Sequence, residues 1–159
     1  MSLAADVVAE LRTAGASVAM AESLTGGCLC AALVDVPGAS DVVLGSIVAY
    51  AASAKIGVLG VDRAILDEVG TVDSATAAAM AQNARRQFGS TFALSTTGVA
   101  GPEPSEGKAV GTVFIALASA HGIELRALML DGDRDAIRNE TVLQCLSLLL
   151  ATLKEETAR

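Results

Sequence analysis

The sequence predicts an α/β protein: a layered α/β/α single domain with a mixed β-sheet flanked by helices. Three observations lead there. Segments with helical and strand patterning alternate from residue 3 to residue 97. Two β-rich runs then surround a short turn, and the last long segment is a helix that is apolar nearly all round. A chain of 159 residues favours one domain with a sizeable core, here taken as residues 1–159.

The elements follow in order. Residues 3–14 read as a helix, with Leu3, Val7, Val8 and Leu11 on one face, Asp6 and Glu10 on the other, and Gly15 as the stop. "SVAMA" (17–21) is a short apolar strand. The turn "ESLTGG" leads into a helix over 26–34, and "DVPGAS" (35–40) is a loop. "VVLGSIVAY" (42–50) is a strand region running into the short helix of "AASAKIGVLG". Asp62 caps another short helix closed by Gly70, and Asp73 or Ser74 caps an alanine-rich helix over 74–88 closed by Gly89. "TFALSTT" (91–97) is a strand, and "GVAGPEPSEGK" (98–108) is the longest loop. Residues 111–120 and 123–130 form a hairpin around Ala120-His121-Gly122. The final helix opens at "DGDRDAIR" (131–138) and reaches about Glu155. Its apolar run 142–153 is buried in the core or in a subunit contact, so a homo-oligomer is expected.

Composition removes several function classes. Charged residues are 18% and hydrophobic ones 52%, which excludes a disordered chain. No run reaches the length of a membrane span, and no basic segment precedes an apolar one at the N-terminus, so a soluble cytoplasmic protein is expected. The net charge of −7 argues against nucleic-acid binding, which needs a basic face, but leaves room for a local anion pocket. The three cysteines, Cys28, Cys30 and Cys145, form no C-x-x-C pair, and the only histidine is His121. The metal expectation is therefore none, and the thiols read as free and buried.

Ligands in α/β sheets collect beyond the carboxyl ends of the strands. Three such ends carry polar clusters: Glu22 to Gly27, Tyr50 with Lys55, and Ser95-Thr96-Thr97-Gly98. Each is also ordinary turn chemistry, and they converge only if the strands are parallel neighbours. A Ser-His-Asp triad has no histidine to use, because His121 sits in the hairpin turn. Lys55, set among apolar neighbours, is the lysine whose burial would make it a base, and a serine beside such a lysine is an activated pair. Tyr50 and Lys55 face one pocket if Tyr50 ends the strand and Lys55 lies in the next helix; a packed tyrosine and a snorkelling lysine are the equal alternative. The Thr25-Gly26-Gly27 turn opens a helix N-terminus, which favours anions. Arg134 and Arg138, four apart, share a helix face and either clamp a phosphate or lie solvated beside Asp131, Asp133 and Asp135.

Five stretches in order, "AESLTGG", "GSIVAYAASAKIGVLGV", "STTGVAGP", "VGTVF" and "GDRDAIR", resemble the CinA C-terminal domain family, the nicotinamide-nucleotide amidohydrolases, over residues 3 to about 150. The chain looks like the stand-alone form, without the amino-terminal domain of longer members. The resemblance implies hydrolysis of the carboxamide of nicotinamide mononucleotide to nicotinate mononucleotide and ammonia, without metal or cofactor. It implies Ser23 as nucleophile, Tyr50 and Lys55 as helpers, Thr97 as a matching hydroxyl residue, and Arg138 as a phosphate contact. In the mechanism that follows from it, Lys55 takes the Ser23 proton directly or through Tyr50, and backbone N–H groups around Thr25-Gly26-Gly27 hold the oxyanion. Glu22, Gly98 and Arg134 complete the expected substrate-binding set, with Glu22 orienting either Lys55 or the turn. Leu24, Ala52 and Ala109 stand where common members have cysteine, a polar residue and proline; none of these removes a proposed catalytic group. A non-catalytic nucleotide-binding or self-associating module, and an amidohydrolase for another carboxamide, are the competing readings.

Overall fold

A computed structural model describes residues 2–158 of the chain. Five strands form one sheet in the order β2-β1-β3-β4-β5. Strand β1 (Val18–Glu22) lies parallel to both β2 (Val43–Val48) and β3 (Phe92–Gly98). β3 pairs antiparallel with β4 (Thr112–Ser119), and β4 with β5 (Gly122–Met129), which is the hairpin the sequence predicts. The carboxyl ends of β1, β2 and β3 therefore emerge on one edge. In register, Glu22 lies between Val48 and Thr96.

The helices form at positions their caps dictate. Helix α1 (Leu3–Ala14) starts where Ser2 accepts from the Ala5 N–H, and stops at Gly15, whose left-handed φ of 61° lets its N–H return to the Leu11 and Arg12 carbonyls. Helix α2 (Cys28–Val34) follows the glycine turn, and α3 (Ala52–Gly57) follows β2. Asp62 caps α4 (Arg63–Val69), Asp73 caps α5 (Ser74–Phe88), and Asp133 caps α6 (Arg134–Thr157). Of the two candidates for the α5 cap, Asp73 is the one that accepts from the helix. Segment 35–40 contains the start of a short 3₁₀ turn over Ala39–Asp41.

Strand alternation sorts two unequal layers. Val18, Met20, Phe92, Leu94, Val113, Ile115 and Leu117 face α1, α2 and α6 and make the larger core. On the other face Ala21, Ala93, Ala116 and Ala118 meet Ala77, Met80, Ala81 and Ala84 of α5. Small side chains on both partners let α5 lie close to the sheet, which is where the alanine richness is spent. The last helix buries Ile137, Val142, Cys145, Leu146, Leu148, Leu149 and Leu153 inside its own chain and leaves Leu143 half exposed. Most of its apolar surface is thus consumed internally. Among the described residues no helix is long and apolar enough to cross a membrane.

Candidate active site

The site begins where β1 ends. Ser23 follows Glu22, and its backbone N–H donates to the Thr96 carbonyl (3.0 Å) at the end of β3. The chain then reverses through Gly26 and Gly27, with φ of 56° and 99°, a region that glycine enters without cost. The reversal points the Ser23 side chain across the strand ends toward α3, and the Lys55 amine meets it: Nζ to Oγ is 2.9 Å. Lys55 also donates to the carbonyls of Ala49 (2.8 Å) and Tyr50 (3.1 Å). It is 1% exposed, and among the described residues no carboxylate is bonded to it. Burial lowers its pKa to about 8, against a smaller opposing pull from the Glu106 carboxylate.

These three partners satisfy either charge state. An ammonium gives one N–H to each of Ser23, Ala49 and Tyr50. A neutral amine has two donors and one lone pair; the two carbonyls can only accept and take the donors, and the lone pair faces Ser23, the one partner able to donate. In the neutral state the contact has the geometry of a serine hydroxyl beside an amine base.

Glu22 holds the turn and is turned away from Lys55. Its fully buried carboxylate accepts from Thr25 Oγ1 (2.8 Å), Leu29 N (2.8 Å), Cys30 N (3.2 Å) and Ser46 Oγ (2.8 Å). The amino end of α2, read from the sequence as an anion-favouring spot, is thus filled by the protein's own carboxylate. Thr25 is likewise committed internally, to Glu22 and to Thr96 Oγ1. The Gly26 N–H donates to the Ser23 carbonyl. Replacing Glu22 by glutamine puts an amide donor against those backbone donors. Urea unfolding should show a loss of about 2–4 kcal/mol, accompanied by a loss of whatever activity depends on Ser23.

A cavity of about 130 Å³ opens beside the pair, lined by Ser23, Leu24, Tyr50, Thr71, Val72, Thr97, Gly98, Ala100, Ser105 and Arg134. Tyr50 is exposed, and its hydroxyl accepts from Arg134 Nη2 (3.0 Å); it is not interposed between Ser23 and Lys55. Thr97 donates to the Thr71 carbonyl at 2.6 Å. Gly98 is required by close strand approach, since a Cβ there would come within 2.8 Å of the Thr112 carbonyl. Ser95 turns to the Ala77 carbonyl and takes no part.

The two arginines separate. Arg134 bonds the Gly101 carbonyl and the Tyr50 hydroxyl at the cavity, while Arg138 bonds the carbonyls of Leu24 (2.9 Å) and Thr25 (3.2 Å) and Cys28 Sγ (3.2 Å). His121 is exposed, 3.9 Å from Glu156, in the hairpin turn. A wider depression of about 530 Å³, lined by Gln82, Arg85, Arg86, Gly89 and Ser90, holds a serine whose Oγ has no partner, hence no base. Sequence reasoning missed Thr71, Val72 and Ser105. They lie in loops without periodicity, and their one signal is that "GTVDS" and "PSEGK" are turn-forming stretches beside the assigned helices and strands.

The fold and site define a class: an α/β protein with a buried serine–lysine pair at the carboxyl edge of three parallel strands. The chain belongs to the CinA C-terminal domain family, whose model matches residues 1–153. It is 48% identical over 148 residues to a CinA-like protein of Frankia casuarinae, covering 93% of this chain and 34% of that relative. It spans about a third of the length of the curated relatives it matches. Its fold is that of a CinA superfamily protein from Klebsiella pneumoniae, with a TM-score of 0.94, 29% identity and 96% of each chain covered. A competence/damage inducible protein from Agrobacterium tumefaciens is 35% identical, with a TM-score of 0.90 over 96% of this chain and 93% of that one.

Proposed function

We propose that the chain hydrolyses the carboxamide of nicotinamide mononucleotide, releasing ammonia and nicotinate mononucleotide. The observation that carries this reading is the 2.9 Å contact between Ser23 Oγ and a buried Lys55 whose other partners are both carbonyls. Lys55 takes the hydroxyl proton directly, and Ser23 attacks the amide carbon. The oxyanion rests on backbone N–H groups of Leu24, Thr25 and Gly27, since those of Ser23 and Gly26 donate to the Thr96 and Ser23 carbonyls. The proton on Lys55 passes to the leaving nitrogen, ammonia departs, and water attacks the acyl-serine with Lys55 again as base.

The cavity is smaller than those that enclose a whole nucleotide. It suits the pyridine carboxamide, with the ribose phosphate toward its rim. Arg134 is the cation at that rim, and Arg138 acts by holding the turn that carries Ser23. No cofactor enters this chemistry. Self-association is proposed with it, through the exposed Leu125 and Met129 of edge strand β5, and sedimentation of the purified chain tests that part.

A panel of amides tests the activity. Nicotinamide mononucleotide should release ammonia, and free nicotinamide, lacking the ribose phosphate, should react far more slowly. Binding without ammonia would favour a non-catalytic nucleotide module. Preference for an amide without the ribose phosphate would assign a different substrate.

A further inference from the structure

Part of the cavity wall comes from two segments distant in sequence: the Gly70–Val72 corner between α4 and α5, and the loop 99–111. One side chain joins them. The Glu106 carboxylate accepts from the Thr71 N–H (2.9 and 3.2 Å), the Val72 N–H (3.2 Å) and the Thr71 hydroxyl. The Thr71 carbonyl in turn accepts from Thr97 Oγ1, so contacts run unbroken from the end of β3 through Thr71 to Glu106. Ser105, Thr71 and Val72, all adjacent to these bonds, line the cavity. Two backbone features serve the contact. Glu106 has a φ of 53°, the one non-glycine residue with positive φ among the described residues. Gly70 has a φ of 81°, and a Cβ there would lie 2.4 Å from Glu106 Oε2.

We propose that Glu106 is a positioning residue of the site: it latches the loop 99–111 to the Gly70–Val72 corner and so fixes that part of the cavity wall. The proposal rests on the serine–lysine reading above. Against partial desolvation, which works to raise it, the hydrogen bonds from Thr71 and Val72, with Lys108 nearby, hold the Glu106 carboxyl below its ordinary value, so it stays ionised and accepts from all three groups.

The test uses the full chain and three variants. Glu106→Gln sets an amide against the Thr71 and Val72 N–H groups, so KM for nicotinamide mononucleotide should rise roughly threefold to tenfold while kcat stays within about twofold. Thr71→Val, which removes only the hydroxyl bond, should raise KM by a smaller factor, and Glu106→Asp, which keeps the carboxylate, should restore part of the loss. Trypsin cleavage after Lys108 in the loop should quicken in Glu106→Gln. A KM and a cleavage rate both unchanged in Glu106→Gln, or a fall in kcat as large as the rise in KM, overturns the proposal. Faster cleavage in a protein that releases no ammonia from any carboxamide fails the amidohydrolase reading and leaves the latch standing.

Discussion

Ser23→Ala should abolish ammonia release from nicotinamide mononucleotide, by on the order of 10⁴-fold or more, with the fold intact. The size follows from Ser23 being, among the described residues, the one hydroxyl bonded to Lys55. Thr25 is fully buried and bonded to Glu22 and Thr96, and Ser46 is bonded to Glu22. Thr97 is spent on the Thr71 carbonyl. None of these hydroxyls is bonded to Lys55. The fold should survive because the serine side chain makes one side-chain contact, to Lys55, and its backbone N–H bond to Thr96 is unaffected by the change. Circular dichroism and thermal melting check the second half of the expectation, and an ammonia assay the first. Near-complete activity in this variant would remove Ser23 from the chemistry.

Lys55→Met should lower turnover about 10²- to 10⁴-fold, the usual range for a positioned base. It carries a second signature in stability. The native Lys55 pKa is about 8, below its ordinary value of 10.5. The sign follows from proton counting. Between these values the unfolded chain holds a proton that the native lysine has released, so unfolding free energy rises with pH through that window. Below pH 8 both states are protonated and the full cost of burying the ammonium is present. The gain across the window is up to about 3 kcal/mol. Cys145, whose buried thiol is pushed up, works in the opposite direction at the alkaline end but is common to both proteins. The difference between wild type and Lys55→Met in urea unfolding at pH 8 and pH 10 isolates the lysine. Parallel pH dependences in the two proteins would mean that Lys55 is not depressed. The wild-type rate should likewise climb as pH rises through about 8.

The layers and the hairpin were legible in the sequence because periodicity and caps are local. Gly15, Asp62, Gly70 and Gly89 stand where the helices start or stop. The strand order was not, since only the assembled sheet puts β1 between β2 and β3. That placement decides the role of Glu22: Ser46 reaches it because β2 lies alongside, and Leu29 and Cys30 reach it because α2 starts directly above the turn. Helical spacing placed Arg134 and Arg138 on one face, but they sit one turn apart along α6, about 6 Å. That offset takes Arg138 to the carbonyls of the Ser23 turn and leaves Arg134 at the cavity. Tyr50 and Lys55 do share the site, although the tyrosine contributes its carbonyl to the lysine and its hydroxyl to Arg134. Thr71 and Glu106 are 35 residues apart, and no local pattern joins them.

In the proposed mechanism an acyl group passes through Ser23. Turnover of nicotinamide mononucleotide in the presence of hydroxylamine, with the products resolved by mass spectrometry, tests it most directly. Hydroxylamine competes with water for the acyl-serine after ammonia has left. The expected result is the hydroxamate of the nucleotide, growing with hydroxylamine concentration and absent in Ser23→Ala. Nicotinate mononucleotide formed at an unchanged rate with no hydroxamate would mean that water attacks the amide directly, and would contradict the account.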